Sequence, residues 1–358
     1  MTDDLRVDDF DYELPPELIA QEPAPRRDAS RLLALSRSDG QMRHLTFSDL
    51  PSLLRPEDLL VLNDTRVLPA RLSGRRAGQG TGGRVEALLV EPLSGDHLWR
   101  ALLKGSCRPG EPIDFGKDLV GRLVSRDDRF AVLELSTGRE PGGVREALER
   151  AGRMPTPPYI RRRGDGGGVE DERETMDRER YQTVYARVAG ALAAPTAGLH
   201  FTQDLLGAVR ERGVDLGFLT LHVGLGTFQP VRVDRVSEHR MHAESFVLPE
   251  TLAAQVSRAR GRGGRVVAVG TTVARVLEWR AGDRGQVAPG AGECDLFIRP
   301  GHRFRVVDAL ITNFHLPRST LLMLVSAFAG METIRRAYDA AIVSRYRFYS
   351  YGDAMYVC

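Results

Sequence analysis

With 358 residues, 42% of them hydrophobic, the chain is long enough to form two domains and to bury a substantial core, which excludes a largely disordered protein. A formal net charge of +2 excludes the strong overall field of a general nucleic-acid binder, so any RNA contact must come from local motifs. Three distant cysteines argue against a disulfide framework, and no apolar run approaches the roughly 20 residues of a membrane span. We therefore expect a soluble, cytoplasmic protein.

Apolar runs and turns divide the chain into three regions. Near the N-terminus, residues 32–35 and 59–62 predict strands at the edge of a larger sheet. Between residues 67 and 154 the runs are short and separated by glycine-rich turns, which is typical of a small antiparallel β-barrel. Residues 161–180 contain almost nothing apolar and predict a solvated loop. After Tyr181, strand-like and helix-like segments alternate, which indicates an α/β layer with parallel strands.

This order predicts the fold class and the domains. We expect an α/β protein in which a large α/β domain carries an inserted small antiparallel β-barrel domain. The α/β catalytic domain is predicted to be discontinuous, over residues 1–66 and 155–358. The inserted barrel is predicted to cover residues 67–154.

Four loops of the α/β part concentrate glycine, threonine, histidine and asparagine just before a helix. They lie at residues 193–202, 219–228, 266–272 and 308–320. Three of them follow an apolar strand directly. Because open α/β sheets bind ligands at the carboxyl ends of their strands, four such loops in one sheet favour a ligand site.

Three loop histidines are candidates for proton transfer. His200 precedes a helix for which Thr202 is a plausible N-cap, and His222 follows a strand. His315 is expected to face the same crevice as Asn313. For His200 and His222, a hydrogen-bonded structural histidine explains the sequence about as well as a functional one.

The third loop has the features of an anion site. A buried strand is followed by Gly270 and by Thr271 and Thr272 at the start of a helix. Free N–H groups and the helix dipole suit this position to a carboxylate or phosphate. Simple N-capping would explain the same two threonines.

Metal and nicotinamide chemistry have little support in the sequence. The histidines lack the close paired spacing and acidic neighbours of zinc sites. No G-x-G-x-x-G fingerprint follows a predicted strand. We therefore expect no metal site and no nicotinamide cofactor.

Several longer blocks resemble one known family, the S-adenosylmethionine:tRNA ribosyltransferase-isomerases of queuosine biosynthesis. Besides the four loops, the blocks are Arg27-Asp28-Ala29-Ser30-Arg31-Leu32, Asn63-Asp64-Thr65-Arg66-Val67, Tyr181-Gln182-Thr183-Val184-Tyr185-Ala186, Met241-His242-Ala243-Glu244 and the segment from Tyr346 to Met355. The resemblance runs nearly from end to end. It is therefore much more specific than any one loop.

The resemblance implies a reaction in which the ribosyl moiety of S-adenosylmethionine is transferred and isomerised. The acceptor is 7-aminomethyl-7-deazaguanine at the tRNA wobble position, and the products are epoxyqueuosine-tRNA, adenine and methionine. S-adenosylmethionine is then a consumed cosubstrate, and no other cofactor is expected. The implied partner is a tRNA with a GUN-type anticodon, and we expect a monomeric enzyme.

Such chemistry requires a base beside the carbon next to the sulfonium, a proton donor for adenine, and a pocket that excludes water. We predict His200, His222 and His315 as base and acid, because an unperturbed histidine titrates near neutrality. Thr271 and Thr272 are predicted to bind the methionine carboxylate. The other predicted substrate-binding residues are Thr196, Thr227, Asn313, Asp64, Arg66, His242, Tyr351 and Asp353.

Two other functions are compatible with the loops alone. A nucleotide-dependent enzyme on the same scaffold would turn over a different small substrate without RNA. An RNA-binding module would bind tRNA without using S-adenosylmethionine. The density of histidine and threonine in the loops argues against the second alternative.

Overall fold

We analysed a computed structural model that describes residues 5–77, 83–138, 143–162, 169–224, 226 and 231–358. The chain divides into two compact units, one formed by Met1–Arg66, Pro157–Arg162 and Gln182–Cys358, the other by Val67–Thr156 and Arg163–Tyr181. None of the helices in the described ranges is long and apolar enough to cross a membrane.

The described residues form seventeen strands and eight α-helices. The strands are β1 (Arg31–Leu35), β2 (Met42–Thr46), β3 (Leu59–Asn63), β4 (Thr65–Val67), β5 (Arg71–Arg76), β6 (Arg84–Ser94), β7 (Leu98–Lys104), β8 (Pro112–Asp114), β9 (Leu119–Arg126), β10 (Ala131–Thr137), β11 (Val188–Ala191), β12 (Asp215–Leu221), β13 (Glu244–Leu248), β14 (Val266–Val269), β15 (Gly290–Cys294), β16 (Ala309–Asn313) and β17 (Ala354–Val357). The helices are α1 (Leu50–Leu53), α2 (Gly143–Ala151), α3 (Val169–Arg180), α4 (Gln203–Glu211), α5 (Glu250–Gly261), α6 (Thr271–Trp279), α7 (Thr320–Ala329) and α8 (Met331–Val343).

The first unit is built on a nine-stranded sheet with the order β15-β13-β12-β3-β14-β16-β17-β1-β2. Its centre is parallel, since β12, β3, β14 and β16 all run in one direction. β17 is antiparallel to β16 and parallel to β1, so the sheet is mixed rather than wholly parallel. The carboxyl ends of the four central strands therefore lie along one edge, as a ligand site in such a sheet requires.

β3 lies in the middle of this sheet and β1 lies between β17 and β2, so the prediction that their two apolar runs form edge strands is wrong. All five residues of β3 are buried. Leu59 and Val61 pack on one face with α5, α6, α7 and α8, whereas Leu60 and Leu62 pack on the other face with α4. Because side chains alternate between the faces of a strand, a continuous apolar run is what a strand covered on both faces needs.

The second unit contains a closed barrel of six antiparallel strands in the order β10-β7-β6-β5-β8-β9. Alternate side chains such as Leu72, Val85, Ile113 and Leu133 are fully buried, which is the inward-facing pattern of a small filled barrel. Together with the mixed sheet of the first unit, this confirms the predicted fold class, a large α/β domain with a small antiparallel barrel.

The chain before Tyr181 differs from the prediction. A solvated loop was expected over residues 161–180, but residues 169–180 form α3, and the compact unit that contains the barrel includes this helix. Residues 163–168 lie outside the described residues. In that unit the Arg178 guanidinium donates to the Glu149 carbonyl at 2.9 Å, and Arg153 lies 3.0 Å from Glu174. These polar contacts hold α3 in place. The helix has too few apolar residues to be predicted from a hydrophobic pattern in the sequence.

Candidate active site

A pocket of about 610 Å³, part of it open to solvent, lies in the first unit at the carboxyl ends of β14 and β16. The residues that line it are Tyr159, Ala193, Ala194, Pro195, Thr196, Ala197, Val223, Gly270, Thr271, Thr272, Thr312, Asn313, Phe314, His315, Leu316, Leu321, Tyr349 and Ser350. Three of the four predicted loops thus contribute whole segments to one pocket, and the fourth contributes Val223.

One wall of the pocket is the start of α6. Gly270 adopts a φ of 94°, which lets the chain turn from β14 directly into the helix, and its N–H donates to the Ile311 carbonyl at 2.8 Å. Thr271 and Thr272 are the first two residues of α6. Because the first N–H groups of a helix have no acceptor within the helix, this wall presents donors and a positive dipole end to the pocket.

Asn313, at the end of β16, is held in one orientation. Its Nδ2 donates to the Tyr349 carbonyl at 3.1 Å and to Nε2 of His200 at 3.2 Å. A carbonyl can only accept, so the amide nitrogen must face Tyr349 and the oxygen is fixed on the other side. Asn313 is buried, with only 2% of its surface exposed. Even so, no described residue donates a hydrogen bond to its Oδ1.

His200 lies behind Asn313 and does not line the pocket itself. Its Nδ1 is 2.7 Å from the Ser30 hydroxyl, and its ring stacks on Phe47 with 4.9 Å between the centroids. Burial, together with the positive charges of Arg347 and Arg27, lowers the pKa of His200 to about 3. His200 is therefore neutral at pH 7, and both of its ring nitrogens are engaged by protein side chains.

His315 does line the pocket. Its Nε2 is 2.6 Å from the Thr312 hydroxyl, and its backbone N–H donates to the Tyr338 hydroxyl at 2.8 Å. The Tyr12 hydroxyl donates to the His315 carbonyl. Burial lowers the pKa of His315 to about 3, so the ring is neutral at pH 7. Of the three predicted histidines, it alone is among the residues that line this pocket.

His222 follows β12, next to Val223, and is half-buried. Its Nδ1 lies 2.8 Å from the Thr65 hydroxyl, and its ring covers Gly190 so closely that a Cβ there would meet the ring at 2.6 Å. Burial lowers the pKa of His222, and the nearby Asp64 carboxylate partly opposes this shift. The ring is thus fixed by a second group of residues beside the pocket.

The turn after β3 organises that second group. Asn63 accepts the N–H of Leu221 at 3.0 Å and reaches the Thr272 hydroxyl at 3.4 Å, so it joins the second and third loops. Asp64 is buried and accepts hydrogen bonds from the Thr220 hydroxyl and the Arg187 guanidinium, both at 2.6 Å. The carboxylate of Asp64 is therefore occupied in holding the loops together, and Asp64 does not line the pocket.

Several predicted site residues lie away from the pocket. Arg66 and His242 are exposed, and neither lines it. Tyr351 and Asp353 are buried beside the C-terminal strand, and the Asp353 carboxylate accepts the backbone N–H groups of Arg31 and Arg347 at 2.9 and 2.8 Å. Thr227 lies outside the described residues. The predicted residues that do line the pocket are Thr196, Thr271, Thr272, Asn313 and His315.

An aromatic wall of the pocket was not predicted. Tyr159 and Tyr349 both line it, with 4.8 Å between their ring centroids, and the Tyr159 hydroxyl is 2.7 Å from that of Ser350. Burial raises the pKa of Tyr159, so this hydroxyl stays protonated. The sequence signal that could have indicated Tyr159 is its place directly after Pro157 and Pro158, which restrict the backbone before it.

Within the described ranges there is no group of three or more histidine, cysteine, aspartate or glutamate side chains arranged to hold a metal ion. The expectation that the protein needs no cofactor beyond its cosubstrate stays a prediction.

The mixed sheet, with a pocket at the carboxyl ends of its central strands, is the arrangement of an α/β enzyme. Residues 7–357 match the model of a family described as queuosine biosynthesis protein. The chain belongs to this family, and the resemblance found in the sequence is confirmed.

Individual relatives agree with this assignment. The chain is 53% identical over 356 residues to the S-adenosylmethionine:tRNA ribosyltransferase-isomerase of Geobacter metallireducens, which covers 99% of this chain and 100% of the relative. It is 54% identical over 358 residues to the protein of the same name from an Anaeromyxobacter species, with 98% of each chain covered. A crystal structure of an S-adenosylmethionine tRNA ribosyltransferase from Thermotoga maritima is similar with a TM-score of 0.55 and 36% identity, over 98% of this chain and 100% of that one.

Proposed function

We propose that the chain transfers and isomerises the ribosyl moiety of S-adenosylmethionine onto 7-aminomethyl-7-deazaguanine at the tRNA wobble position. The products are epoxyqueuosine-tRNA, adenine and methionine. The observation that carries this proposal is the family match over residues 7–357, with relatives more than 50% identical over almost the full length. The pocket supports it because its lining includes the start of α6, which favours a carboxylate, and a buried histidine, His315.

The start of α6 is the proposed site for the methionine carboxylate. Its free N–H groups and dipole favour an anion, and the hydroxyls of Thr271 and Thr272 add donors. Among the described residues that line the pocket there is no lysine or arginine to compete for the carboxylate. The helix terminus is therefore the strongest site for an anion on this wall.

We assign the proton transfer to His315. The neutral ring is in the state that accepts a proton, and a proton on Nε2 donated to the Thr312 hydroxyl leaves Nδ1 as the accepting atom. The sulfonium acidifies the adjacent ribosyl carbon, which loses its proton to this nitrogen. Because burial disfavours the resulting imidazolium, the proton passes readily to the departing adenine. One residue thus acts first as base and then as acid.

The other two predicted histidines receive different tasks. His200 is a positioning residue, because both ring nitrogens already hold Ser30 and Asn313. His222, held by Thr65 at the neighbouring loop, is the second candidate for proton transfer.

The substrates imply a tRNA with a GUN-type anticodon, whose wobble base leaves the anticodon stack to enter the site. We further propose a cytoplasmic monomer that needs no cofactor besides its cosubstrate.

The reaction can be tested directly. The purified protein is incubated with S-adenosylmethionine and tRNA that carries 7-aminomethyl-7-deazaguanine, and free adenine and the mass of the modified nucleoside are followed. We expect adenine and the epoxycyclopentyl mass gain to appear together, and only with the modified tRNA. Unmodified tRNA is the matched control.

Other outcomes would identify the alternatives. Adenine release without any tRNA would indicate an enzyme with a small-molecule acceptor. Tight tRNA binding without adenine release would indicate a binding protein. Either result would overturn the proposed function.

A further inference from the structure

The Asn313 side chain presents a buried acceptor that the protein does not use. Its two amide hydrogens are donated to the Tyr349 carbonyl and to His200 Nε2, while Oδ1 has no hydrogen-bond partner in the described part of the chain. Leaving such an atom unpaired is unfavourable, and native proteins do so rarely. Asn313 also lines the pocket, so a bound ligand is the natural source of the missing donor.

A second layer of residues fixes the direction of this acceptor. Since Asn313 Nδ2 donates to His200 Nε2, the His200 proton must reside on Nδ1, which is 2.7 Å from the Ser30 hydroxyl. The Ser30 hydroxyl in turn donates to the Arg27 carbonyl at 3.2 Å. Every donor in this chain from Asn313 to Arg27 is used once, and rotation of the amide would break two contacts. The network therefore holds Oδ1 in place as an acceptor.

The surroundings of Asn313 restrict the kind of donor. Tyr159 and Tyr349 form an aromatic wall of the same pocket, and Tyr349 is the residue whose carbonyl holds the amide. No aspartate or glutamate is among the described residues that line the pocket, so a charged donor placed directly against Oδ1 would have no counter-charge beside it, whereas a neutral donor needs none. A flat heteroaromatic ring with a neutral amino group fits both the wall and the acceptor.

We infer that Asn313 Oδ1 accepts a hydrogen bond from the exocyclic amino group of the adenine of S-adenosylmethionine, and so makes the site selective for 6-aminopurines. The inference rests on the proposed function, because it assumes that this cosubstrate enters the pocket. The methionine carboxylate is proposed to bind at the start of α6, which follows β14, and the adenine at Asn313, which ends β16. Because β14 and β16 are neighbours, adjacent strand ends bind both ends of the cosubstrate. His200 then acts through Asn313 as a positioning residue.

The test compares ligands and variants by calorimetry without tRNA, so that no turnover occurs. S-adenosylmethionine is compared with its hypoxanthine analogue, in which an oxo group replaces the 6-amino group. We expect the wild-type protein to bind the adenine form roughly 10- to 100-fold more tightly, since the analogue sets an acceptor against Oδ1. In Asn313→Ala the preference should fall to within about twofold, because the acceptor is gone.

Thr183→Val is the matched control. It removes another buried side-chain oxygen that forms no hydrogen bond with any described residue, but Thr183 does not line the pocket. This variant should keep the wild-type preference for adenine. Thermal melting checks the fold of each variant, and Asn313→Ser replaces Asn313→Ala if the alanine variant does not fold.

Each result decides between the two levels of the argument. Failure of the wild-type protein to bind S-adenosylmethionine would overturn the proposed function itself. Wild-type binding with no preference between the two bases, or a preference that survives in Asn313→Ala, would overturn only the adenine contact. If Asn313→Ala instead weakened tRNA binding alone, the amino group would belong to the deazaguanine, and the assignment to adenine would be wrong.

Discussion

The Thr65 hydroxyl lies 2.8 Å from Nδ1 of His222 and so joins the turn after β3 to the loop after β12. The two residues are adjacent only because β3 and β12 are parallel neighbours, with Asn63 opposite Leu219. The contact fixes the orientation of the ring through Nδ1 and leaves Nε2 as the nitrogen that can take part in proton transfer. It therefore offers a way to test whether His222 takes part in the reaction.

Replacing Thr65 by valine should lower turnover about 3- to 10-fold, the amount expected for one lost hydrogen bond that positions a reacting group. Thr65→Ser keeps the hydroxyl and should retain activity. Nitrogen NMR of the His222 ring should show a mixture of tautomers in Thr65→Val and a single tautomer in Thr65→Ser. An unchanged rate for Thr65→Val, with the tautomers mixed, would remove His222 from the mechanism.

His315→Ala should reduce kcat by about 10²- to 10⁴-fold, the usual contribution of a general base, with little change in the affinity for S-adenosylmethionine. His200→Ala should instead weaken binding of S-adenosylmethionine, because it releases Asn313. Steady-state kinetics with the modified tRNA separate the two effects. Equal increases in KM for S-adenosylmethionine in both variants would contradict the division of roles between His315 and His200.

The general layout of this site could be predicted because its loops carry local signals. Thr271 and Asn313 each follow or end a short apolar strand, and neighbouring parallel strands bring their carboxyl ends together. The Tyr159 and Tyr349 wall could not be predicted in this way. The two tyrosines are 190 positions apart by their numbers, and only the tertiary fold places their rings in contact.

The fold shows the same division between local and long-range information. The alternating runs of the barrel and the helix start after Thr202, which accepts the N–H of Leu205 at 3.0 Å, are local patterns and were predicted. The central place of β3 depends on which strands pair with it, and nothing within its own residues specifies those partners. The hydrogen-bond partners of His200 and His222 could not be predicted for the same reason, because Ser30 and Thr65 are distant from them in the chain.

Stability should decrease when the pH falls from 7.5 to 5.5. Burial lowers the pKa of His200 and of His315 to about 3 in the folded protein, against about 6.5 in the unfolded chain. The unfolded state then binds more protons below pH 6.5, so the stabilisation present above that pH is lost as the pH falls towards 3. At pH 5.5 each histidine should cost on the order of 1 kcal/mol relative to pH 7.5.

Urea unfolding at the two pH values measures this effect. His200→Gln and His315→Gln should each remove about half of the decrease that the two histidines cause. His97→Gln is the matched control, because His97 is exposed in the barrel unit and should leave the decrease unchanged. A pH dependence that is the same in all three variants would show that the two buried histidines do not control it.

Glu244 and Arg275 form a buried ion pair that supports the loop after β12. The Arg275 guanidinium contacts the Glu244 carboxylate and also donates to the carbonyls of Leu296 and Cys294 at 3.0 Å. The other carboxylate oxygen of Glu244 accepts the N–H of Gly224 at 2.9 Å. Helix α6, which carries Arg275, is thereby connected to the loop that contains His222.

Glu244→Ala should lower the free energy of unfolding by about 3 to 5 kcal/mol, because it leaves the Arg275 charge buried without its partner. The double variant Glu244→Gln with Arg275→Met removes both charges and should recover part of this loss. Unfolding by urea gives the stabilities, and kcat of the folded double variant reports the position of the loop. If the single and double variants were equally destabilised, the unpaired charge of Arg275 would not be the cause of the loss.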